Sequence, residues 1–273
     1  MKNILIFNDI SGLGNCSMSA NLPVFTKYGL YCMPVPTAVY SMQTGFEGFC
    51  VLPNVEAGAF AKKALALRSA DAVYVGFCND TATLSAVGDL LADNATKTAY
   101  KFVDPIMGDN GKLYPVFDER YVAEMKRIVR RADCISPNLT EACLLADIDY
   151  AEFVGSLTCD NVTARCTDVF GDFLRKVGCR SAVITGIECD GVIYNAVLQP
   201  CNTTVLGLPK VRGNYSGTGD LFSSVVSAKL LCGTSLPLAV MAAAEFVGTA
   251  LAATECDDRR FGTEFCRVFD KLD

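Results

Sequence analysis

Residues 4–15 read ILIFNDISGLGN, an unbroken apolar run that passes directly into polar residues and glycines. A run that is apolar at every position is typical of a strand buried on both faces, so Ile4–Phe7 predicts the first strand of a parallel sheet. A helical stretch follows to about Tyr28, and Gly29 ends it. The opening of the chain therefore predicts one strand–loop–helix unit.

The same alternation continues along the chain and is typical of a mostly parallel sheet with helices on both faces. We therefore predict a three-layer α/β/α fold, as one domain over residues 1–273, with ligands at the carboxyl ends of the strands. The other predicted strands are Tyr31–Val35, Val73–Phe77, Tyr100–Val103, Cys134–Ser136, Ala182–Thr185, Val192–Leu198 and Thr203–Leu208. The other predicted helices run from the cap Asn54 to Arg68, from the cap Asp80 to Leu91, over Glu119–Arg131, Thr140–Ala146 and Val162–Val177, and from near Gly219 and Leu236.

The composition excludes several classes of function. The net charge of −6 argues against a nucleic-acid partner, because phosphate backbones require a basic field. The chain has no histidine, which removes most zinc sites and any Ser–His or Cys–His nucleophile pair. Its 14 cysteines are scattered without a CxxC pair, and the apolar run at the N-terminus is too short for a signal peptide. These features predict a cytoplasmic protein with buried, reduced thiols.

One segment has the length and apolar character of a membrane span. Leu236–Thr254 is nearly all apolar, but Glu245 lies at its middle and Pro237 near its start. A charge at the centre of a bilayer costs about 2.5–3.5 kcal/mol even on the lenient insertion scales. We therefore predict a helix of a globular core and no membrane association.

The most informative motif is residues 213–220, GNYSGTGD, which precede an apolar helix. Gly217 and Gly219 allow a tight turn that directs successive backbone N–H groups to one point, and the positive helix end adds to this field. Asp220 can then take a proton from a substrate hydroxyl beside a bound phosphate. The alternative is an ordinary loop in which Asp220 caps the helix. A P-loop is not predicted, because the Lys-Ser/Thr pair is missing.

Two further motifs follow predicted strands. Residues 104–114, DPIMGDNGKLY, place carboxylates at a strand end, where they suit Mg²⁺, although a turn rich in Asp, Asn and Gly has the same composition. In residues 136–141, SPNLTE, Asn138 can cap a helix while Glu141 completes a capping box. Taken alone, this last motif predicts the start of a helix and no ligand site.

Together, the motifs DPIMGD, PNLTE and GTGD, in this order, resemble the ribokinase-like vitamin kinases. Residues 8–17, NDISGLGNCS, and 36–46, PTAVYSMQTGF, narrow the resemblance to pyridoxal/pyridoxamine kinases, and it covers essentially the whole chain. The resemblance implies a ribokinase-like fold and ATP- and Mg²⁺-dependent phosphorylation of the 5′-hydroxymethyl group of pyridoxal, pyridoxamine or pyridoxine. It also implies a homodimer with a small-molecule substrate.

The resemblance assigns roles to individual residues. Asp220 would be the catalytic base, and Gly217, Thr218 and Gly219 would bind the transferring phosphate. Two departures fall in the vitamin pocket: Gln43 stands where members usually carry histidine, and Phe77 where a tyrosine is familiar. The remaining roles are ATP binding by Asp104, Ser136, Asn138, Glu141 and Thr185, Mg²⁺ binding by Glu141 and Asp104, and vitamin binding by Ser11, Gln43, Thr44 and Phe77.

Three alternatives stay open. A hydroxymethylpyrimidine kinase shares the fold, the GTGD motif and a ring substrate with a hydroxymethyl group. A dinucleotide-binding oxidoreductase is suggested by Gly12 and Gly14 after the first strand, but Ser17 occupies the position of the third glycine and no acidic residue ends the second strand. A catalytically inactive binding protein would keep the same fold.

Overall fold

The computed structural model describes residues 1–53, 55–211 and 213–273, and within them eight strands form one sheet. Its strands are β1 (Asn3–Ser11), β2 (Tyr31–Tyr40), β3 (Ala72–Val75), β4 (Tyr100–Val103), β7 (Cys134–Ile135), β8 (Ala182–Cys189), β9 (Val192–Gln199) and β10 (Asn202–Pro209), while β5 (Gly108–Asp109) and β6 (Lys112–Leu113) form a separate hairpin. The order is β10-β9-β8-β7-β4-β3-β1-β2, and every neighbouring pair is parallel except those that include β9.

Helices cover both faces of this sheet. Side chains that alternate along β1 point to opposite faces, so Leu5 and Phe7 pack with the helices between residues 57 and 177, while Ile4 and Ile6 pack with the first helix and the last two. This arrangement confirms the predicted three-layer fold. The helices are α1 (Met18–Lys27), α2 (Ala57–Leu65), α3 (Thr81–Ala92), α4 (Glu119–Val129), α5 (Leu139–Ala146), α6 (Tyr150–Gly155), α7 (Val162–Phe170), α8 (Phe173–Val177), α9 (Thr218–Leu231) and α10 (Leu236–Ala253).

The predicted caps of α2 and α3 can be compared with the structure only where it describes the residue. Asp80 accepts the N–H of Thr83 at the start of α3, as predicted. Asn54, predicted to cap α2, lies outside the described residues. All 14 cysteines lie within them and are free thiols, but only six are buried while three are partly exposed and five exposed, so the prediction of buried thiols is wrong for the other eight.

The second strand is longer than the sequence predicts. The predicted strand ends at Val35, between Pro34 and Pro36, and a loop is predicted after it, yet β2 continues to Tyr40. It lies at the edge of the sheet and pairs with β1 alone. Since the two prolines are two residues apart, their missing N–H groups fall on the same side, away from the ladder, where an edge strand tolerates them. The prediction of a loop over residues 36–40 is therefore wrong.

Two other boundaries need correction. The helix predicted over Val162–Val177 is divided into α7 and α8 by Gly171 and Asp172, although both parts bury apolar side chains in one core. The strand predicted to end at Thr185 continues to Cys189, and its register against β9 shifts between Ile184 and Ile187. Thr185 and Gly186 thus form a bulge inside β8, and Gly186 adopts a φ of 70°.

The helix α10 is long and apolar enough to cross a membrane by length and composition. In this fold it lies against α9 and against β9 and β10. Its Ala239, Val240 and Ala243 are fully buried in the core on that face of the sheet. One face of the helix is therefore buried in the core, as predicted, while Leu238 is exposed at 66%.

Candidate active site

Polar side chains from distant parts of the chain meet at the carboxyl edge of the sheet. Asn8 lies near the end of β1, Asp104 directly after β4 and Ser136 directly after β7. Helix α9 begins at the same edge, and Asp220 and Ser223 in it hydrogen-bond to the strand-end residues. This position agrees with the general rule for ligand sites in parallel sheets.

Asp220 lies in the first turn of α9 and does not cap it. The cap is Gly217, which has a φ of 77°, and Asp220 is the third residue of the helix. The alternative that Asp220 is an ordinary cap is therefore wrong. Its carboxylate is 9% exposed and accepts hydrogen bonds from the Asn8 amide at 3.0 Å and from the backbone N–H of Ser17 at 2.8 Å. Burial raises the pKa of Asp220, and these two donors oppose the rise.

The loop before Asp220 has the geometry of an anion site. Gly217 has a left-handed backbone, and a Cβ there would overlap the carbonyl oxygen of Asn15, so glycine is required on both grounds. The Thr218 hydroxyl donates to the Tyr215 carbonyl at 3.0 Å and fixes the turn. The N–H groups of Gly219 and Asp220 belong to the first helical turn and have no intrahelical acceptor. They can therefore bind phosphate oxygens.

Asp104 is the second buried carboxylate of the site. It accepts a hydrogen bond from the Ser223 hydroxyl at 2.8 Å, and Ser223 lies 2.9 Å from the hydroxyl of Ser136. Burial, with a smaller contribution from the charge of Asp220, raises the pKa of Asp104 to about 7. Ser136, expected to contact ATP, is buried and engaged with Ser223 in this arrangement.

Glu141 and Asn138 form the capping box that the sequence suggests. Asn138 accepts the N–H of Glu141 at 3.0 Å, and Glu141 accepts the N–H of Asn138 at 2.8 Å. Glu141 also accepts the N–H of Met107 at 3.0 Å, and the Asn138 amide donates to the Gly108 carbonyl at 2.8 Å. The pair thus ties the DPIMGD segment to α5. Burial, followed by the charge of Asp104, raises the pKa of Glu141 well above its usual range.

These carboxylates fit a magnesium ion that keeps much of its water. Within residues 1–53, 55–211 and 213–273, no three Cys, Asp or Glu side chains are grouped closely enough to hold a metal ion by themselves. Mg²⁺ commonly binds to one or two carboxylates, several waters and substrate phosphates. Asp104 and Glu141 are buried near one another, and none of the described ion pairs includes them. A cation bound beside them would favour the ionised forms of both carboxyl groups, which burial disfavours.

The residues expected to bind the vitamin come from the end of β1, the loop after β2 and the segment after β3. The Ser11 hydroxyl donates to Asp9 at 3.0 Å, and the N–H of Phe77 donates to Asn8 at 2.9 Å. The Phe77 ring lies 5.7 Å from that of Phe117. Thr44 is exposed on the loop after β2.

Gln43 has both polar ends occupied by the protein. Its amide Nε2 donates to the Ser216 hydroxyl at 2.9 Å, and its Oε1 accepts the N–H of Gly45 at 2.7 Å. Its backbone N–H donates to the Leu13 carbonyl at 2.8 Å. Gln43 therefore connects the loop after β2 with the loop that precedes Gly217.

Thr185 lies at the bulge of β8, next to the start of α5. Its backbone N–H donates to the Pro137 carbonyl at 2.9 Å, and it forms a parallel bridge with Asn138. The structure thus brings Thr185, Asn138 and Glu141 to one place, and their assignment to the ATP site stays a prediction.

Sequence reasoning missed four residues of this site. Asn8 and Ser17 contact the carboxylate of Asp220, Ser223 contacts that of Asp104, and Asp9 is a further buried carboxylate, 5% exposed. Burial raises the pKa of Asp9 to about 6, with the charge of Asp220 adding to the rise. The available signal was the polar pair Asn8-Asp9 directly after the apolar run of residues 4–7.

The family model described as phosphomethylpyrimidine kinase matches residues 12–264. The chain belongs to this family. The family and its structural neighbours are ribokinase-like vitamin kinases, which confirms the resemblance inferred from the motifs and removes the oxidoreductase alternative. The protein is therefore a kinase of the pyridoxal kinase and hydroxymethylpyrimidine kinase group.

Individual relatives of this kinase divide between the two substrates. The pyridoxine/pyridoxal/pyridoxamine kinase of Bordetella avium is 26% identical over 90% of this chain and 83% of its own. The hydroxymethylpyrimidine/phosphomethylpyrimidine kinase of Haemophilus influenzae is 24% identical over 92% of this chain and 91% of its own. A Bacteroides thetaiotaomicron protein assigned as a phosphomethylpyrimidine kinase, in a crystal form with pyridoxal, has a TM-score of 0.87 and 29% identity over 100% of this chain and 96% of its own.

Proposed function

We propose that this kinase transfers the terminal phosphoryl group of ATP to the 5′-hydroxymethyl group of a vitamin B6 vitamer, with Asp220 as the base. The protein acts as a single domain over residues 1–273, in a cytoplasmic homodimer. The observation that carries the proposal is the position of Asp220. A buried carboxylate lies in a helical turn whose free N–H groups can bind an anion, three residues after Gly217, whose left-handed backbone favours glycine.

The geometry suits phosphoryl transfer, which depends mainly on positioning and on charge stabilisation. The N–H groups of Gly219 and Asp220 stabilise the negative charge that develops on the transferring phosphoryl group. The loss of one such donor typically lowers the rate about 10²–10³-fold. Asp220 takes the proton of the attacking hydroxyl, a contribution of roughly 10²–10⁴. Its raised pKa favours this role, since a base buried away from water holds a proton more readily.

The other carboxylates serve the nucleotide. Asp104 and Glu141 would hold Mg²⁺, which supplies charge neutralisation for the phosphates when it is bound. The bridge between Asn138 and Thr185 joins the start of α5 to β8 at the same edge of the sheet. The Ser136 hydroxyl pairs with that of Ser223, which donates to Asp104. On the opposite side, Ser11, Thr44 and Phe77 contact the vitamin ring, with Gln43 beside them.

The pyridoxal-bound Bacteroides protein and the Bordetella kinase support vitamin B6 as the substrate. A second candidate is the hydroxymethylpyrimidine that serves as a thiamin precursor, which the family description and the Haemophilus relative favour. Both substrates present a hydroxymethyl group on a flat nitrogen ring. The catalytic residues are therefore the same in either case.

A direct comparison of substrates tests the proposal. The purified protein is assayed for kcat/KM with ATP, Mg²⁺ and each of pyridoxal, pyridoxamine, pyridoxine, hydroxymethylpyrimidine and its monophosphate. Vitamin B6 is supported if at least one vitamer exceeds both pyrimidines by about tenfold or more, which corresponds to about 1.4 kcal/mol in transition-state binding. The reverse order would assign the second candidate, and no turnover on any of the five would contradict a vitamin kinase.

Substitution of the proposed base provides the second test. Asp220→Asn should lower kcat by about 10²–10⁴, because the amide fills the same space but cannot take a proton. The KM for ATP should change by less than about threefold, since the nucleotide contacts other residues. Asp168→Asn, an exposed carboxylate on α7, is the matched control and should retain activity. Retention of most turnover in Asp220→Asn would exclude Asp220 as the base.

A further inference from the structure

Asn8 is fully buried where β1 meets the start of α9. Its amide nitrogen donates to Asp220 Oδ1 at 3.0 Å and to Asn21 Oδ1 at 2.7 Å. Its carbonyl oxygen accepts the backbone N–H groups of Asp9 at 3.0 Å and Phe77 at 2.9 Å. Both donor positions and both acceptor positions of the amide are thus used. A side chain held at four points has one orientation, and this orientation directs an N–H at the Asp220 carboxylate.

The other oxygen of the same carboxylate is held from a different element. The backbone N–H of Ser17, the residue before α1, donates to Asp220 Oδ2 at 2.8 Å. Ser17 has φ 52° and ψ −129°, a conformation that residues other than glycine rarely adopt. Such strain persists only where the surrounding structure imposes it, and it is concentrated at functional sites. Here the strained backbone brings its N–H to Asp220.

The surroundings of Asn8 fix its position as well. A Cβ on Gly76 would lie 2.6 Å from the Asn8 side chain, so the space beside β3 is filled by the amide. Asn21 donates in turn to the Ser224 hydroxyl at 2.7 Å, and Ser224 donates to the backbone carbonyl of Asp220 at 2.6 Å. Asn8, Asn21, Ser224 and Asp220 therefore form a closed ring of buried hydrogen bonds.

We propose that Asn8 is a positioning residue, which orients the Asp220 carboxylate toward the hydroxyl of the substrate. This inference rests on the proposed role of Asp220 as the base. A general base must lie within hydrogen-bond reach of the proton it abstracts, and a displacement of about 1 Å can lower the rate about 10²-fold. With both oxygens held by one donor each, a free lone pair remains available for the substrate.

The first test is Asn8→Asp. Aspartate keeps an oxygen for the N–H groups of Asp9 and Phe77 but replaces the donor that faces Asp220. We expect kcat to fall about 10- to 100-fold while the KM for ATP stays within about twofold. A second variant, Gly76→Ala, displaces the Asn8 amide without changing its chemistry, and it should lower kcat in the same way.

The control is Thr96→Val, which removes a buried hydroxyl that donates to Leu90 and Asp93 after α3. Thr96 lies at the opposite edge of the sheet from Asp220. The substitution should therefore lower the melting temperature and leave kcat unchanged. If Asn8→Asp does not fold, Gly76→Ala decides the question by the same two measurements, a fall in kcat and an almost unchanged KM for ATP. Wild-type kcat in either folded variant, or a loss no larger than that of Thr96→Val, overturns the inference.

The two proposals fail in different ways. If Asp220→Asn keeps its turnover, Asp220 is not the base, and its orientation by Asn8 cannot affect the rate. If Asp220→Asn is inactive while Asn8→Asp and Gly76→Ala turn over like the wild type, only the role of Asn8 is wrong.

Discussion

Replacement of Asp9 by asparagine is expected to stabilise the protein at neutral pH. The Asp9 carboxylate is buried beside Asp220 and has no basic partner among its described hydrogen bonds, in which Ser11 is the side-chain donor. Burial raises its pKa from 3.8 to about 6, the hydroxyls of Ser17 and Ser11 oppose the rise, and the charge of Asp220 adds to it. The ionised side chain is therefore unfavourable in the folded protein.

The sign of the effect follows from the two pKa values. Because the folded pKa lies above the unfolded one, the folded protein binds the proton more tightly, and this stabilisation is complete below about pH 4. It is lost as the pH rises through about 6. The difference of about two pH units corresponds to about 3 kcal/mol in the free energy of unfolding. Asp9→Asn should recover about this amount at neutral pH and almost nothing near pH 4.

Urea unfolding of the wild type and Asp9→Asn over this pH range measures the effect. Substrate is not required, so the result does not depend on the proposed function. Asp168→Asn on the exposed surface of α7 is the control and should not reproduce the pH-dependent gain. The reasoning is refuted if Asp9→Asn gains the same stability at both ends of the pH range, or if it loses stability at neutral pH.

Two further substitutions test the nucleotide and vitamin sides of the site. Glu141→Gln should raise the Mg²⁺ concentration that gives half-maximal turnover by about tenfold or more, since ligand and supporting groups typically change metal affinity 10- to 100-fold; an unchanged Mg²⁺ titration would contradict the metal role. Gln43→Ala should lower kcat/KM for pyridoxal, pyridoxamine and pyridoxine by one common factor of about ten, because both polar ends of Gln43 bind the protein. A changed ratio among the three vitamers would instead place Gln43 against the ring.

The sequence predicts the layers of this fold because their signals are local. Ile4–Phe7 is apolar at every position and becomes a strand buried on both faces. Asp80 caps α3, and Asn138 with Glu141 forms the capping box of α5, since a cap depends on residues three positions apart. The glycine-rich turn before Asp220 is also local, which is why the motif alone suggests the proposed phosphate site.

Features that depend on neighbouring strands are not visible in this way. The length of β2 follows from its place at the sheet edge, which accommodates Pro34 and Pro36. The bulge at Thr185 and Gly186 is a property of the register between β8 and β9. The donors that hold Asp220 are more remote still, because Asn8 and Ser17 lie 212 and 203 positions away in the chain.

The same distinction explains why the chemistry is easier to predict than the substrate. Gly217 and Asp220 lie on one turn, whose backbone geometry requires particular residue types. The proposed vitamin site is instead bounded by loops from distant segments that bind one another through backbone groups: Gly12 to Tyr40, Asn15 to Phe261 and Ser216 to Arg259. Backbone contacts place few demands on side chains, so the loops can change composition while the fold and the proposed phosphate site are kept. Gln43 lies between two of these loops, and the residue there can differ among related kinases without any change at Asp220.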